Sequence, residues 1–463
     1  MTEPSAPLSS PPPEHVSFGE ALRVWTKIGL LSFGGPAGQI ATMHRELVEK
    51  RGWVDEPRFL HALGYCMLLP GPEAQQLATY LGWMMHRTPG ALAAGTLFIL
   101  PGFVAILALS IAYATLGQLP LVAGLFFGLK CAVLAMVVDA ARRIGLRVLR
   151  TTALRLFALA AFVAIFFFDV PFPIVIVLAA LTGLLVARFA PSAIPSPAAH
   201  GEGEHGGPSL LDRMAARGEL AHTRPSWRRA LVVLVTGLAL WSIPFVLALV
   251  LAPSPIFLDE ATFFSGTAMI TFGGAYAVLA YVAQRAVHDF GWLGAREMID
   301  GLALAETTPG PLIMVVELVG FLGAFHHPGS LSPLVAGTLG AIVTVWVTFV
   351  PCFLWILLGG PYIEALREVR AIQHALTGVT AAVVGVIANL SLWFATHVIF
   401  AEVRETAIGP LRLLVPELAS LDALALALSA AAIAAVTFTK LGPMRVLGIA
   451  AAIGLVLRGA LGL

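Results

Sequence analysis

The sequence predicts an all-α polytopic membrane protein made of two inverted-topology repeats whose helices are broken at matched positions. Three observations carry that prediction. The first is composition. Of 463 residues, 58% are hydrophobic and only 12% charged, and the mean hydropathy is +0.87. A soluble domain carries roughly 25% charged residues, and no single water-soluble core can hide this much apolar surface. The second is a set of apolar stretches long enough to cross a bilayer, which takes about 20 residues each. The third is a duplication. Phe33-Gly34-Gly35, Gly52-Trp53 and Pro70-Gly71-Pro72 recur as Phe272-Gly273-Gly274, Gly291-Trp292 and Pro309-Gly310-Pro311, all at one offset of 239 residues. Glycine and proline interrupting corresponding hydrophobic segments of two halves is the sequence mark of a secondary transporter.

The elements follow in chain order. Residues 1–16 are rich in Pro and Ser and lack the basic and apolar regions of a cleaved signal, so a disordered N-terminal tail is expected. The first transmembrane repeat, 17–190, reads as spans near 17–36, 58–85, 88–117, 120–140, 152–169 and 171–189. Residues 191–226 read as a polar cytoplasmic linker, a loop outside the membrane, because Gly, Pro, Ser, Glu and His cannot pack into a core. Residues 227–253 form an unpaired connecting helix. The second repeat, 254–463, gives spans near 256–276, 296–325, 333–358, 372–400, 420–438 and 442–461, for about thirteen in all. Pro101 aligns with Pro351 at an offset of 250, which places an insertion in the loop 324–333. Six spans alone would leave the repeats parallel; the connecting helix inverts the second.

Loop charges orient the chain. Arg142, Arg143, Arg147, Arg150 and Arg155, then Arg213, Arg217, Arg224, Arg228 and Arg229, all follow even numbers of spans, and most loops after odd numbers hold no Lys or Arg. The positive-inside rule then puts the N-terminus and the linker in the cytoplasm. One segment disagrees. By this count 37–57 lies on the other side, yet it carries Arg45, Lys50 and Arg51. Either it folds back into the protein or the first span does not fully cross.

The two Pro-Gly-Pro motifs carry the chemistry. Proline removes a backbone donor and breaks a continuous helix, Gly71 and Gly310 let the chain turn, and Pro72 and Pro311 suit the first turn of a new helix. A helix start offers unpaired N–H donors and a positive dipole end, which together bind anions. Glu73, Gln75 and Gln76 follow the first break, Glu306, Thr307 and Thr308 precede the second, and Glu317 follows it. Carboxylates inside a membrane are functional candidates, here for proton coupling. The paired glycines Gly34-Gly35 and Gly273-Gly274 permit close backbone approach or a re-entrant turn; a plain helix cap is the alternative. Arg45 reads either as part of a solvated interfacial helix or as a guanidinium facing a bound anion. Lys130 and Asp139 lie in an apolar span, where a helix-holding ion pair and a functional charge are equally good readings.

Other classes are excluded by what the sequence lacks. A net charge of +1 creates no field for nucleic acid. There is no Walker motif, nucleophile elbow or HExxH pattern, so an enzyme is not expected. Cys66, Cys131 and Cys352 match no metal or disulfide spacing, and neither metal nor cofactor is expected.

FGGP, RGWVDEPRFL and LLPGPEAQQLATYLGW in the first half, with TFGGAYAVLAYV and TTPGPLIMVVELVGF in the second, resemble the chromate ion transporter family in its long, two-domain form. The resemblance spans both repeats. It implies chromate efflux across the bacterial inner membrane, chromate resistance, and sulfate as a competing analogue. Beyond chromate and sulfate, the expected partner is membrane lipid, and a homodimer is left open. In the resulting expectation chromate sits near the midplane between the repeats, held by the helix starts at the two breaks, with side-chain donors from Gln75, Gln76, Thr307 and Thr308, charge from Arg45, and Glu73 as the proton site. A sulfate or other oxyanion carrier would use the same site; a channel or a membrane-embedded enzyme fits less well.

Overall fold

A computed structural model describes residues 15–463 apart from 34, 118, 190–208, 252–253, 273–274, 363–369, 410, 440 and 461–463. The expected tail therefore lies almost wholly outside the described residues.

Each motif of the duplication ends one helix and starts another. Helix α1 (Phe18–Leu31) is capped by the Ser17 hydroxyl and stops at Ser32. Helix α2 (Gly35–His44) runs on into a π-helical turn, Arg45–Glu49. Asp55 caps α3 (Glu56–Cys66), accepting from the Arg58 N–H at 2.7 Å. Pro70-Gly71-Pro72 breaks the chain before α4 (Glu73–Leu116), which itself bends sharply at His86 and Arg87. The second half repeats the pattern. It has α10 (Ile256–Met269), α11 (Ala275–Gln284) with a π-helical turn Arg285–Asp289, α12 (Ala295–Thr307), a 3-10 turn Leu312–Met314, and α13 (Val315–His326). Gly71 and Gly310 have φ of +124° and +97°, which only glycine adopts without strain.

These helices are too short to cross a membrane singly. The 14 residues of α1 rise about 21 Å, against a hydrocarbon core of roughly 30 Å. The expected spans at 58–85 and 296–325 are thus each a pair of half-length helices, those at 17–36 and 256–276 are each a single half-length helix paired with the one that follows, and seven helices rather than thirteen are long and apolar enough to cross singly among the described residues. Where those helices go is fixed by contacts at their outer ends. His86 Nε2 lies 3.0 Å from the Val16 carbonyl, so the start of α1 sits beside the end of the first limb of α4. The linker covers the same face. Leu210 and Leu211 N–H groups donate to the carbonyls of Gly52 and Trp53 at 3.1 and 3.2 Å, and His222 Nε2 lies 3.1 Å from the Trp83 carbonyl. The chain therefore dips in along α1, returns along α2, dips again along α3 and returns along α4 to residue 86, always on the linker face. This resolves the misplaced basic segment: 37–57 folds back and shares a face with the linker. The second half has the matching contacts, Ser254 Oγ to the His327 carbonyl at 2.9 Å and His326 Nδ1 to the Trp292 carbonyl at 3.0 Å.

Seven helices are long and apolar enough to cross a membrane among the described residues. They are α4, α5 (Pro120–Val148), α7 (Phe172–Phe189), α9 (Trp227–Leu251), α14 (Pro333–Gly359), α15 (Arg370–Ile399) and α17 (Pro443–Gly454), the last with its terminal π turn Leu455–Ala460. Shorter apolar helices include α6 (Thr152–Phe168) and α16 (Ala423–Phe438). The architecture is that of an all-α polytopic membrane protein with one small addition. Strands β1 (Val403–Ile408) and β2 (Leu411–Pro416) pair antiparallel, Val403 opposite Pro416, where the sequence suggested only a connection.

The linker also departs from expectation. Residues 190–208 lie outside the described residues, but α8 (Leu210–Ala216) and the 3-10 turn Glu219–Thr223 are folded. Leu210 and Leu211 are buried in the same apolar cluster as Trp53, Phe59 and Trp83. Two leucines at the start of an amphipathic turn give this segment enough apolar area to dock, which the polar composition of its first half obscures.

Candidate functional site

The breaks of the two repeats meet and exchange hydrogen bonds. The Gly71 N–H donates to the Thr271 carbonyl at 2.8 Å, and the Gly310 N–H donates to the Ser32 carbonyl at 2.8 Å. Residues 71 and 310, and 32 and 271, are equivalents at the 239-residue offset. Reciprocal contact of this kind, i to j′ and i′ to j, is what a two-fold relation produces. The long helices follow the same rule. A β-carbon at Gly102 of α4 would stand 2.6 Å from the Pro309 carbonyl, and one at Gly71 would stand 2.7 Å from Cys352 Sγ of α14. Residues 102 and 352 are equivalents at the 250-residue offset. The crossing helix of each repeat thus packs on the break of the other.

A narrow cavity lies where these segments meet. Pro36 and Gln39 line it from the start of α2, and Pro72, Glu73 and Ala74 from the start of α4. Thr271 and Ala275 line it from the start of α11, and Pro311, Leu312 and Ile313 from the turn leading into α13. The starts of α2, α4 and α11 and the 3-10 turn before α13 therefore converge on one space. Neither Pro72 nor Pro311 supplies a side-chain cap, so first-turn N–H groups remain available. The starts of α2, α4 and α11 each point the positive end of a helix dipole at the cavity. Among the described residues, no Lys or Arg lines the cavity. The positive field comes from backbone dipoles alone.

The predicted residues divide into three groups. Pro72, Glu73 and Pro311 line the cavity. Gly35 (φ +68°) sits beside it, its β-position 3.9 Å from the Tyr276 hydroxyl. The second group braces the breaks. Gln76 Nε2 donates to the Pro70 carbonyl at 2.8 Å and Gln75 Nε2 to Thr79 Oγ1 at 3.0 Å, both side chains fully buried. The Thr307 and Thr308 hydroxyls donate to the carbonyls of Leu304 and Ala305, ending α12 ahead of Pro309. Glu306 accepts from the Tyr276 hydroxyl at 2.6 Å, and Glu317 is buried one turn beyond Ile313. The third group is remote. Arg45 is exposed at the end of α2 on the linker face. Its neighbour Glu46 is the buried residue, held by Lys27 at 3.1 Å, Lys50 at 2.8 Å and Arg51 at 2.5 Å. Gly34, Gly273 and Gly274 lie outside the described residues.

Of the two intramembrane charges, Lys130 takes the helix-holding role, while Asp139 is neutralised within its own helix. Lys130 pairs with Asp300 at 3.0 Å, and the Tyr113 hydroxyl donates to Asp300 at 2.8 Å, joining α5, α12 and α4. Asp139 pairs with Arg142 and Arg143. Two site residues escaped the sequence reading. Gln39 donates to the Gly310 carbonyl at 2.5 Å, and Tyr276 orients Glu306. Each lies within the first turn or so after a glycine pair, where a polar residue in an apolar run is the available signal. A larger cavity lies elsewhere, around Asp169, Gln284, Asn389, Trp393 and Arg412. There Asp169 accepts hydrogen bonds from both Gln284 and Arg412.

Comparison with known proteins places this architecture. The family model for the chromate transporter matches residues 19–184 and 258–455, most of both halves. The chain is 31% identical over 381 residues to a chromate transport protein of Pseudomonas aeruginosa, covering 81% of this chain and 80% of that one. It is 29% identical over 365 residues to a chromate transport protein of Cupriavidus metallidurans, covering 78% of each. It is 28% identical over 373 residues to a probable chromate transport protein of Synechococcus elongatus, covering 81% of this chain and 83% of the relative. No solved structure matches it. The matched segments contain both Pro-Gly-Pro breaks and both halves of the cavity, and the chain belongs to the chromate transporter family.

Proposed function

We propose that the protein exports chromate from the bacterial cytoplasm across the inner membrane, and so confers chromate resistance. The observation that carries this reading is the convergence of the starts of α2, α4 and α11 and of the turn before α13 on a cavity with no cationic side chain among the described residues. Such a site suits a small, doubly charged oxyanion, because it supplies many N–H donors at fixed positions. The repeats are read as inverted. The half-helices of the first dip in from the linker face; α9 crosses once, so those of the second dip in from the opposite face. The linker face is taken as cytoplasmic from its arginines. Rocking of one repeat against the other, about the reciprocal Gly71–Thr271 and Gly310–Ser32 contacts, would expose the cavity to each side in turn.

Energy can come from the membrane potential. Moving a negative charge out of a negative-inside cell releases about 2.3 kcal/mol per charge per 100 mV, and a dianion releases about twice that. Glu73 adds a proton link. When ionised it is a tethered anion at the same positive helix start and repels the substrate; when protonated it does not. Arg45 acts, on this reading, at the cytoplasmic approach. Sulfate has the same shape and charge and competes for the site. Chromate uptake into inverted membrane vesicles tests the proposal, with and without an inside-positive potential or a proton gradient. Potential-stimulated uptake is expected for wild type. Glu73→Gln should keep that uptake and lose its response to pH. Absence of uptake under any gradient, or uptake of sulfate but not chromate, would overturn the reading.

A further inference from the structure

The second repeat buries two carboxyls that the cavity does not use. Glu260, in the first turns of α10, and Glu317 of α13 are both 0% exposed, and among the described residues all four of their oxygens lack hydrogen-bond partners. Between them lies Thr344 of α14, also 0% exposed, with its hydroxyl oxygen similarly unpartnered. The three form a row along the seam of α13 and α14, and glycines make room for it. β-carbons at Gly323 and Gly340 would stand 3.1 Å and 3.0 Å from the two Glu260 oxygens, and one at Gly320 would stand 2.1 Å from Thr344 Oγ1. Positions 317, 320 and 323 follow one another at about one helical turn, as do 340 and 344. Ile313, which lines the anion cavity, is one turn below Glu317. The row therefore runs from the cavity to the outer end of α10, a rise of about 15 Å over residues 313–323.

Unpaired polar atoms inside apolar protein are strongly unfavourable. Three in one line, with five orphaned oxygens, call for a function. The row is absent from the first repeat. Glu260 aligns with Ala21, and the contact of Gly320 with Gly340 and Thr344 is reproduced there by Gly82 with Gly90 and Ala94. The fold does not need polar groups at these positions. Few charges act on the row. α14 carries no charged residue. Asp259, exposed beside Glu260, the His326–Glu297 pair at the end of α13, and His327, whose Nδ1 lies 3.0 Å from the Gly323 carbonyl, are the ionisable groups at its outer end among the described residues.

We propose that Glu260, Thr344 and Glu317 form a proton path linking the outer end of α10 to the anion cavity. A proton enters at Glu260. Because the three are not hydrogen-bonded to one another, water entering between them completes the relay: the Thr344 hydroxyl accepts a proton from water on the Glu260 side as it gives up its own to water on the Glu317 side, and Glu317 delivers one to the cavity beside Glu73. Only O–H bonds form and break, and one proton enters for each that leaves. This rests on the cavity being the transport site, and it assigns proton coupling to the second repeat.

The test uses the full-length protein in proteoliposomes, with chromate uptake and internal pH recorded together. Wild type should show proton movement opposite to chromate. Glu260→Gln and Thr344→Val should each reduce protons moved per chromate at least tenfold while potential-driven chromate uptake continues; Thr344→Ser should restore coupling. Infrared difference spectra of the purified protein supply a readout independent of transport. Wild type should show protonated-carboxyl bands that disappear in Glu260→Gln and Glu317→Gln. Full coupling in Glu260→Gln and Thr344→Val, coupling to sodium in place of protons, or the absence of those bands in wild type would overturn the path. Failure of wild type to move chromate at all would overturn the cavity reading instead.

Discussion

The two repeats share a backbone and differ in their ionisable chemistry. Both have half-helices, a Pro-Gly-Pro break and a long helix packed on the break of the other. In the first repeat the buried charge sits near the linker face, where Glu46 gathers Lys27, Lys50 and Arg51. Its equivalent is Arg285, on the surface with Asp289. In the second repeat the buried acids lie deep, with Glu260 and Glu317 unpartnered, Glu306 on Tyr276 and Asp300 on Lys130. The lesson is a division of labour. Backbone N–H groups, which any sequence supplies once the helix is broken, come equally from both halves. Among the described residues, the unpartnered buried carboxyls come from only one.

If the shared backbone builds the site, the largest effects should be equal in the two halves. Gly71→Ala and Gly310→Ala each force a β-carbon onto a left-handed backbone. They also press it against Cys352 Sγ (2.7 Å) or the Gly102 Cα (3.1 Å). Strain of this kind amounts to about 1–3 kcal/mol before the clash is counted. Both variants should lose about tenfold or more in chromate uptake per folded molecule. A loss confined to one of them would break the comparison.

The next effects should be unequal. Glu46→Ala removes the centre of a buried charge cluster and should destabilise the protein by about 2 kcal/mol, less than for a fully buried pair because its lysines can rehydrate. Arg285→Ala, at an exposed pair, should change stability by less than about 0.5 kcal/mol. Thermal unfolding in detergent checks both. Lys130→Met leaves Asp300 buried with only the Tyr113 hydroxyl and should lower stability; pairing it with Asp300→Asn should recover part of the loss.

The smallest effect concerns the linker. Burial lowers the affinity of His222 for a proton below its ordinary value near 6.5, with Arg87 and Arg229 adding to this and the carbonyls of Trp83 and Glu219 opposing it. A base with a lowered folded value favours the native state above the unfolded value, and that stability is lost as pH falls below about 6.5. Proteolysis within 209–223 should therefore quicken from pH 7.5 to about 5.5, and His222→Gln should flatten the trend.

Much of this was legible in the chain itself. The Pro-Gly-Pro breaks, their pairing and the insertion near 324–333 follow from local rules about proline, glycine and repeat spacing, and all appear in the structure. Α1 and α2, by contrast, look from sequence like one apolar span and a basic loop. Only tertiary contacts such as His86 with Val16 show that the chain turns back. Arg45 looked like the natural partner of an anion, yet the adjacent Glu46 is buried and Arg45 is turned outward. Hydrophobic pattern fixes which face of a helix is buried but not which of two neighbouring charges finds partners. Glu260 and Thr344 passed unnoticed because a single polar residue in an apolar run carries no signal until its neighbours in space are known.

The most direct measurement is the position of a bound oxyanion in an electron cryomicroscopy map of the protein with chromate. The account predicts tetrahedral density between the starts of α4 and α13, within hydrogen-bonding distance of backbone N–H groups in 73–75 and 312–314. Density at Arg45, or in the cavity between Asp169 and Trp393 with nothing between the breaks, would contradict it.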